Sequence, residues 1–259
     1  MSYLIAISGK GGVGKTTIAA LLIGRLIARK CVPVLAVDAD PNMCLDTALG
    51  VKVKTTVGGV REEVKQIAGK GIHAGLSKQE WLEAKIEESL VEADKFDLIA
   101  MGRPEGPGCY CYANNVLKAV LTKLSSRYPY VVLDNEAGLE NLSRRIIQKI
   151  DLLVMVTDSS STGLKTVNRL YELAHEMKID YDKVALVVNR IKQERLPEQA
   201  LLLSNAIKAD LLIELADDEQ LTKLAEHGTS YFLLPEDNCT ISKMDLFLND
   251  LGIKRNDTL

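Results

Sequence analysis

Residues 9–17 read "GKGGVGKTT". They stand between an apolar run, "YLIAIS", and a stretch, "TTIAALLIGRLIAR", whose apolar residues recur at helical spacing. Gly9, Gly14, Lys15 and Thr16 fit the pattern G-x-x-x-x-G-K-[ST]. A strand, a glycine loop and a helix in that order leave the chain few architectures. Glycines let backbone N–H groups converge on phosphate oxygens, where a β-carbon would obstruct them. The helix N-terminus adds the positive end of its dipole. In this pattern Lys15 reaches the β- and γ-phosphates and the Thr16 hydroxyl ligates magnesium. Gly11, Gly12, Val13 and Thr17 complete the expected nucleotide cradle.

The rest of the chain repeats strand and helix. Apolar runs at 32–38, 96–102, 130–134, 151–158, 183–189 and 209–215 follow the first strand. Most are unbroken rather than alternating, as strands covered on both faces are. Helical stretches lie between them at 113–126, 163–177 and 217–227. This alternation predicts an α/β fold: a single P-loop NTPase domain over 1–259 with a mostly parallel, seven- to eight-stranded sheet and helices on both faces. Ligands then bind at the carboxyl ends of the strands. Residues 50–95 break the rhythm. They are polar and charged, with helices expected near 59–69 and 78–92, and read as a helical insertion after strand two.

Composition excludes several classes. Of 259 residues, 47% are hydrophobic and 26% charged, which is ordinary for a globular chain. A net charge of −3 gives no bulk attraction to nucleic acid or to anionic lipid, so neither is expected as a partner. No apolar run approaches the roughly 20 residues that span a bilayer. The N-terminus has no secretory pattern, so a cytoplasmic location with reduced thiols is expected. The C-terminal stretch places Met244, Phe247, Leu248 and Leu251 at helical spacing, with Asp245 and Asp250 beside its lysines. That reads as a helix docked on the core rather than a membrane anchor.

Lys10 departs from the ordinary phosphate loop, which has no required lysine after its first glycine. "KGGVGKT" resembles the deviant loop of the MinD, ParA and nitrogenase iron protein class of ATPases. The resemblance implies a homodimer that sandwiches two nucleotides, ATP or ADP with Mg2+, in which Lys10 reaches the partner's nucleotide. A second cation there would compensate charge developing in phosphoryl transfer. "VDADPN" ends the second strand, and by the same resemblance Asp40, before the proline, orients or activates the attacking water. Asp38 is then a magnesium-side or supporting carboxylate. "VVLDNEAGLE" places Asp134 at the end of an apolar strand, where it would hold magnesium through water. The resemblance makes Gly138 a backbone sensor of the γ-phosphate and gives Asn189, in "LVVNR", the adenine. After strand seven, Ala216 stands where the class commonly has a proline, a departure in the base-binding loop that leaves Asp217 and nearby backbone groups as candidate adenine contacts only.

Two of the five cysteines, Cys109 and Cys111, sit in "GPGCYCYANN". Taken alone, the pair admits a strained disulfide, a redox couple, half a metal site or nothing. A disulfide within C-x-C would close a very small ring against the preferred geometry. In an extended segment residues i and i+2 point the same way, so both sulfurs can face one ion. A two-fold axis past this loop would join two pairs into a Cys₄ site, which suits zinc and other late first-row metals. "MGRPEGPGCYCYANNVL" and "DNEAGLENLSRR" resemble the corresponding segments of the nickel-insertion ATPases of CooC type. That resemblance implies metal ligation by Cys109 and Cys111, with Ni2+ as cargo and Zn2+ able to occupy the site. It also implies a client enzyme, carbon monoxide dehydrogenase or acetyl-CoA synthase. Two alternatives compete: a MinD- or ParA-like positioning ATPase without a metal role, and an electron-transfer ATPase. Against the latter, "DNEAGLEN" has no cysteine to serve as a second cluster ligand.

Overall fold

The computed structural model describes residues 2–60, 78–103, 118, 122–124, 126–139, 149–192 and 196–256. Its strands are β1 (Tyr3–Gly9), β2 (Val34–Ala39), β3 (Val91–Glu92), β4 (Phe96–Ala100), β5 (Tyr130–Asn135), β6 (Ile150–Asp158), β7 (Tyr181–Ile191) and β8 (Leu211–Ala216). They form one sheet in the order β3-β4-β2-β5-β1-β6-β7-β8. Seven run parallel, and β3 pairs antiparallel on the edge of β4. The helices are α1 (Lys15–Ala28), α2 (Leu45–Leu49), α3 (Lys78–Glu88), α4 (Ser161–Glu176), α5 (Glu198–Ala206), α6 (Glu219–Glu226) and α7 (Cys239–Asp250). A single α/β domain with a mostly parallel sheet is therefore what the apolar runs encode.

The sheet is covered on both faces because its strands alternate between two cores. Ile5 and Ile7 of β1 face α1, α2 and α7; Leu4 and Ala6 face α3, α4 and α5. Unbroken apolar strands follow from that two-sided burial. In α1, Ile18, Leu22 and Leu26 are fully buried, and the helix lies against β5 and β1. In α7, Met244, Phe247 and Leu248 are buried at helical spacing. Its polar side is tied down as well. Asp245 accepts hydrogen bonds from Arg25 of α1 (3.1 and 2.9 Å) and from Arg29 at the C-cap of α1 (3.2 and 3.0 Å). The C-terminal helix is thus a core helix, and no described helix is long and apolar enough to cross a membrane.

Two elements differ from expectation or escape description. The helix expected over 78–92 ends at Glu88, because Val91 and Glu92 turn back to pair with Leu98 and Asp97. Pairing there gives partners to backbone groups on the outer edge of β4. The helices expected at 59–69 and 113–126 lie largely outside the described residues.

The chain winds from β1 outward to β4 and then, once β5 has filled the gap between β2 and β1, outward again through β6, β7 and β8. Crevices at the carboxyl ends of such a reversal are where ligands settle. Gly9, Asp38, Asp134, Asp158 and Asn189 all stand at or next to those ends.

Candidate functional site

The glycine loop is shaped by close approach. A β-carbon on Gly9 would lie 2.2 Å from the Val156 carbonyl oxygen of β6. Gly14 has φ +98°, and a β-carbon there would lie 2.4 Å from Asn189 Nδ2. Gly14 also caps α1 with no side-chain hydrogen bond, and the first turn carries no acidic residue. The first-turn N–H groups of α1 are therefore left for an anion. Lys15, 8% exposed, folds back so that Nζ donates to the Lys10 carbonyl at 3.2 Å. Burial pulls its ammonium below the usual lysine range, against the charges of Asp134, Asp40 and Glu136. A cavity of about 630 Å³ opens here, lined by Gly11, Gly12, Gly14, Lys15, Thr16 and, opposite, Asp40. Lys10 is exposed and does not line it.

Strand register brings the carboxylates together: Asp38 lies directly beside Asp134 on adjacent parallel strands. Asp38 is almost fully buried and fastens the loop that follows β2. Its Oδ1 accepts the Asp40 N–H at 3.0 Å, and its Oδ2 accepts those of Cys44 and Leu45 at 3.1 and 3.0 Å. Burial nevertheless pushes its carboxyl up to about 6, more than those three N–H groups pull it down. Burial and the neighbouring Asp38 push Asp134 up to about 7, against a hydrogen bond from Thr16 and the charge of Lys15. Asp134 Oδ1 is buried without a hydrogen-bond partner. Asp40 reaches into the cavity, and its Oδ1 accepts from both the backbone N–H and the side-chain amide of Asn42 at 2.8 and 3.0 Å. The turn after β5 is locked to the glycine loop, with Gly138 N–H donating to Gly9 O at 3.2 Å and Ser8 Oγ donating to Gly138 O at 2.7 Å.

A second cavity of about 400 Å³ adjoins the first, lined among others by Thr17, Leu21, Asn189, Leu215, Ala216 and Asp217. It has the dimensions of a nucleoside site. Asn189 does not simply face it. Its Nδ2 donates to Val13 O at 2.9 Å, so this amide hydrogen serves the glycine loop. Asp218 caps α6 by accepting from the Gln220 and Leu221 N–H groups. Hydrogen bonds from Thr240 and Asn238 help hold its carboxyl below the usual range.

Comparison with known proteins fits this geometry. The model of the CobQ/CobB/MinD/ParA nucleotide binding domain matches residues 4–231. The chain belongs to that family. It is 41% identical to an ATP-binding protein of Methanocaldococcus jannaschii over 93% of this chain and 95% of that one. It is 29% identical to the carbon monoxide dehydrogenase accessory protein CooC of Rhodospirillum rubrum, over 88% of this chain and 89% of the relative. The cell division ATPase MinD of Pyrococcus furiosus superposes with a TM-score of 0.70, covering 97% and 99% of the two chains at 20% identity, a likeness of fold.

In a P-loop ATPase of the CobQ/CobB/MinD/ParA family, the larger cavity, at the glycine loop, is the expected place for phosphates and the smaller one for the nucleoside. The residues present fit magnesium. An orphaned carboxylate oxygen on Asp134 and the Thr16 hydroxyl bonded to that residue are hard oxygen donors, and a cation or its water would satisfy the oxygen left without a partner. Several residues of the site lie outside those singled out from sequence, Cys44, Arg103 and Arg190 among them, and these three line the phosphate cavity. Burial and the carboxylates of Asp38, Asp40, Asp134 and Asp46 raise the Cys44 thiol, which makes it a poor nucleophile. Cys109 and Cys111 lie outside the described residues. Among the described residues no group of three or more His, Cys, Asp or Glu side chains is arranged to hold a metal.

Proposed function

We propose that this ATPase is a nickel carrier of CooC type. Two subunits close around two ATP molecules, and the Cys109 and Cys111 pairs of both join in one thiolate site for Ni2+, or Zn2+ in its place. Hydrolysis reopens the dimer and releases nickel to carbon monoxide dehydrogenase or acetyl-CoA synthase. The observation that carries this reading is the C-x-C pair in a chain alike, over nearly nine-tenths of its length, to a carbon monoxide dehydrogenase accessory protein. Soft thiolates in a four-ligand set suit such an ion.

In the reaction, water attacks the γ-phosphorus in line, the β–γ bridging bond breaks towards ADP, and the water's proton leaves through solvent or the phosphate. Asp40, held by Asn42, orients that water. Lys15 neutralises β- and γ-oxygens from the cradle floor. Thr16 and Asp134 would hold magnesium, which would supply further charge neutralisation to the phosphates. Lys10 supports the trans role: its side chain is exposed, off its own cavity, and without an ion pair among the described residues. Asn189, with one amide hydrogen on Val13, offers its carbonyl oxygen to the adenine amino group.

The test is metal stoichiometry against nucleotide state. Wild-type protein is expected to bind one nickel per dimer more tightly with a non-hydrolysable ATP analogue, and nickel reciprocally to tighten the analogue. A Cys109→Ala, Cys111→Ala protein that still bound nickel stoichiometrically would overturn the reading. Sedimentation with anionic vesicles in ATP, together with no metal uptake, would favour a positioning ATPase instead. Purified apo-enzymes of the two candidate types, supplied with nickel, ATP and this protein, distinguish the client.

A further inference from the structure

Arg190 holds its backbone where an arginine seldom sits. Its φ is +55°, in the left-handed region that costs a residue with a β-carbon. It lies in a bulge. Val188 pairs with Glu214 and Ile191 with Ala216, so Asn189 and Arg190 together oppose the single residue Leu215. Successive residues of an unbroken strand point to opposite faces. Here the bulge turns both side chains to the glycine loop: Asn189 Nδ2 donates to Val13 O at 2.9 Å, and Arg190 Nη1 donates to Gly12 O at 3.0 Å. Bulges that re-aim side chains gather beside functional sites, and strain is retained where the surroundings require it.

The position that results is specific. Arg190 lines both the phosphate cavity and the nucleoside cavity, and no other described residue lines both. A nucleotide spanning the two must pass it. The guanidinium has five N–H donors, and its hydrogen bond to a described residue, Gly12, uses one of them. Its planar, permanently charged fork suits phosphate oxygens better than any other side chain. We propose that Arg190 is a nucleotide-contacting residue that grips the phosphate chain where it leaves the nucleoside cavity, while its bond to Gly12 fixes the tip of the loop. The ligand class is a nucleoside di- or triphosphate. The assignment concerns nucleotide binding alone and stands whether or not the thiols carry nickel.

The experiment compares Arg190→Gly and Arg190→Lys with wild type. ADP binding is measured by calorimetry, adenosine binding by ligand-observed NMR, and melting by calorimetry without nucleotide. Loss of charge-assisted contacts predicts ADP affinity reduced about tenfold or more in Arg190→Gly, with adenosine affinity held within about twofold. Arg190→Lys keeps the charge and should recover part of the loss, the more so at low salt. Glycine adopts the left-handed conformation freely, so the nucleotide-free Arg190→Gly protein should melt no lower than wild type. A purely structural clamp would instead lower melting and weaken both ligands together. Equal losses for ADP and adenosine, or ADP affinity unchanged in Arg190→Gly, would overturn the assignment.

Discussion

Asp38 and Asp134 carry a pH dependence of the protein's own stability. Their folded values, about 6 and about 7, lie above the unfolded value of 3.8. Between those limits the folded state binds more protons than the unfolded one, so stability falls as pH rises. The contribution is greatest below pH 4 and is lost as pH climbs through the folded values. Urea denaturation of nucleotide- and magnesium-free protein should therefore show a declining component across that window, and Asp134→Asn should flatten it. An unchanged slope in that variant would refute the coupling. Magnesium needs the ionised carboxylate, so its binding near pH 6.5 should release protons, visible as buffer-dependent heats. Lys15 tests function at the same scale. Its ammonium is buried at a cost, seen in the direction of its shift. Lys15→Met should keep or raise stability while lowering turnover by about 10²–10³-fold, the scale of losing one aligned charge donor in a closed site. Steady-state hydrolysis beside a melting curve separates the two effects.

At the scale of elements, most of the fold was legible because each long strand is buried on both faces and writes an unbroken apolar run. β3 was not, since two residues hold too little pattern and their pairing depends on the turn into β4. The glycine loop and the Asp134 strand end were legible for a different reason: chemistry restricts which residues can stand there. Arg190 escaped notice although it follows Asn189 directly. Its direction depends on a bulge set by the register between β7 and β8, a tertiary quantity that the run "LVVNR" does not contain. Likewise, nothing local shows that Asp38 spends its oxygens on three backbone N–H groups. The docked C-terminal helix was legible from spacing, and its packing is open to measurement. Leu248 is fully buried against the core shared with α1. Leu248→Ala should cost about 2–5 kcal/mol in denaturant unfolding, because the neighbouring side chains cannot collapse fully into the space. A cost below 1 kcal/mol would mean that the helix contributes little to the core.

The whole molecule is the scale at which the proposed dimer stands or falls, and Lys10 supplies the test. If Lys10 acts on its own nucleotide, every subunit is self-sufficient and mixing damaged chains repairs nothing. If it acts across the interface, each site is composite: Lys15 and Asp40 from one chain, Lys10 from the other. A Lys10→Ala chain then keeps a sound cradle that lacks only its partner's lysine, and an Asp40→Ala chain still has that lysine to lend. Each variant alone should bind ADP near normally, since ADP lacks the γ-phosphate, and hydrolyse ATP poorly. In an equimolar mixture about half the dimers are mixed, and each mixed dimer rebuilds one working site of two, so activity should recover to about a quarter of wild type. Recovery should also rise with protein concentration, as association of subunits requires. A mixture no more active than the average of its components would place Lys10 in cis and remove the ground for a two-fold thiolate site.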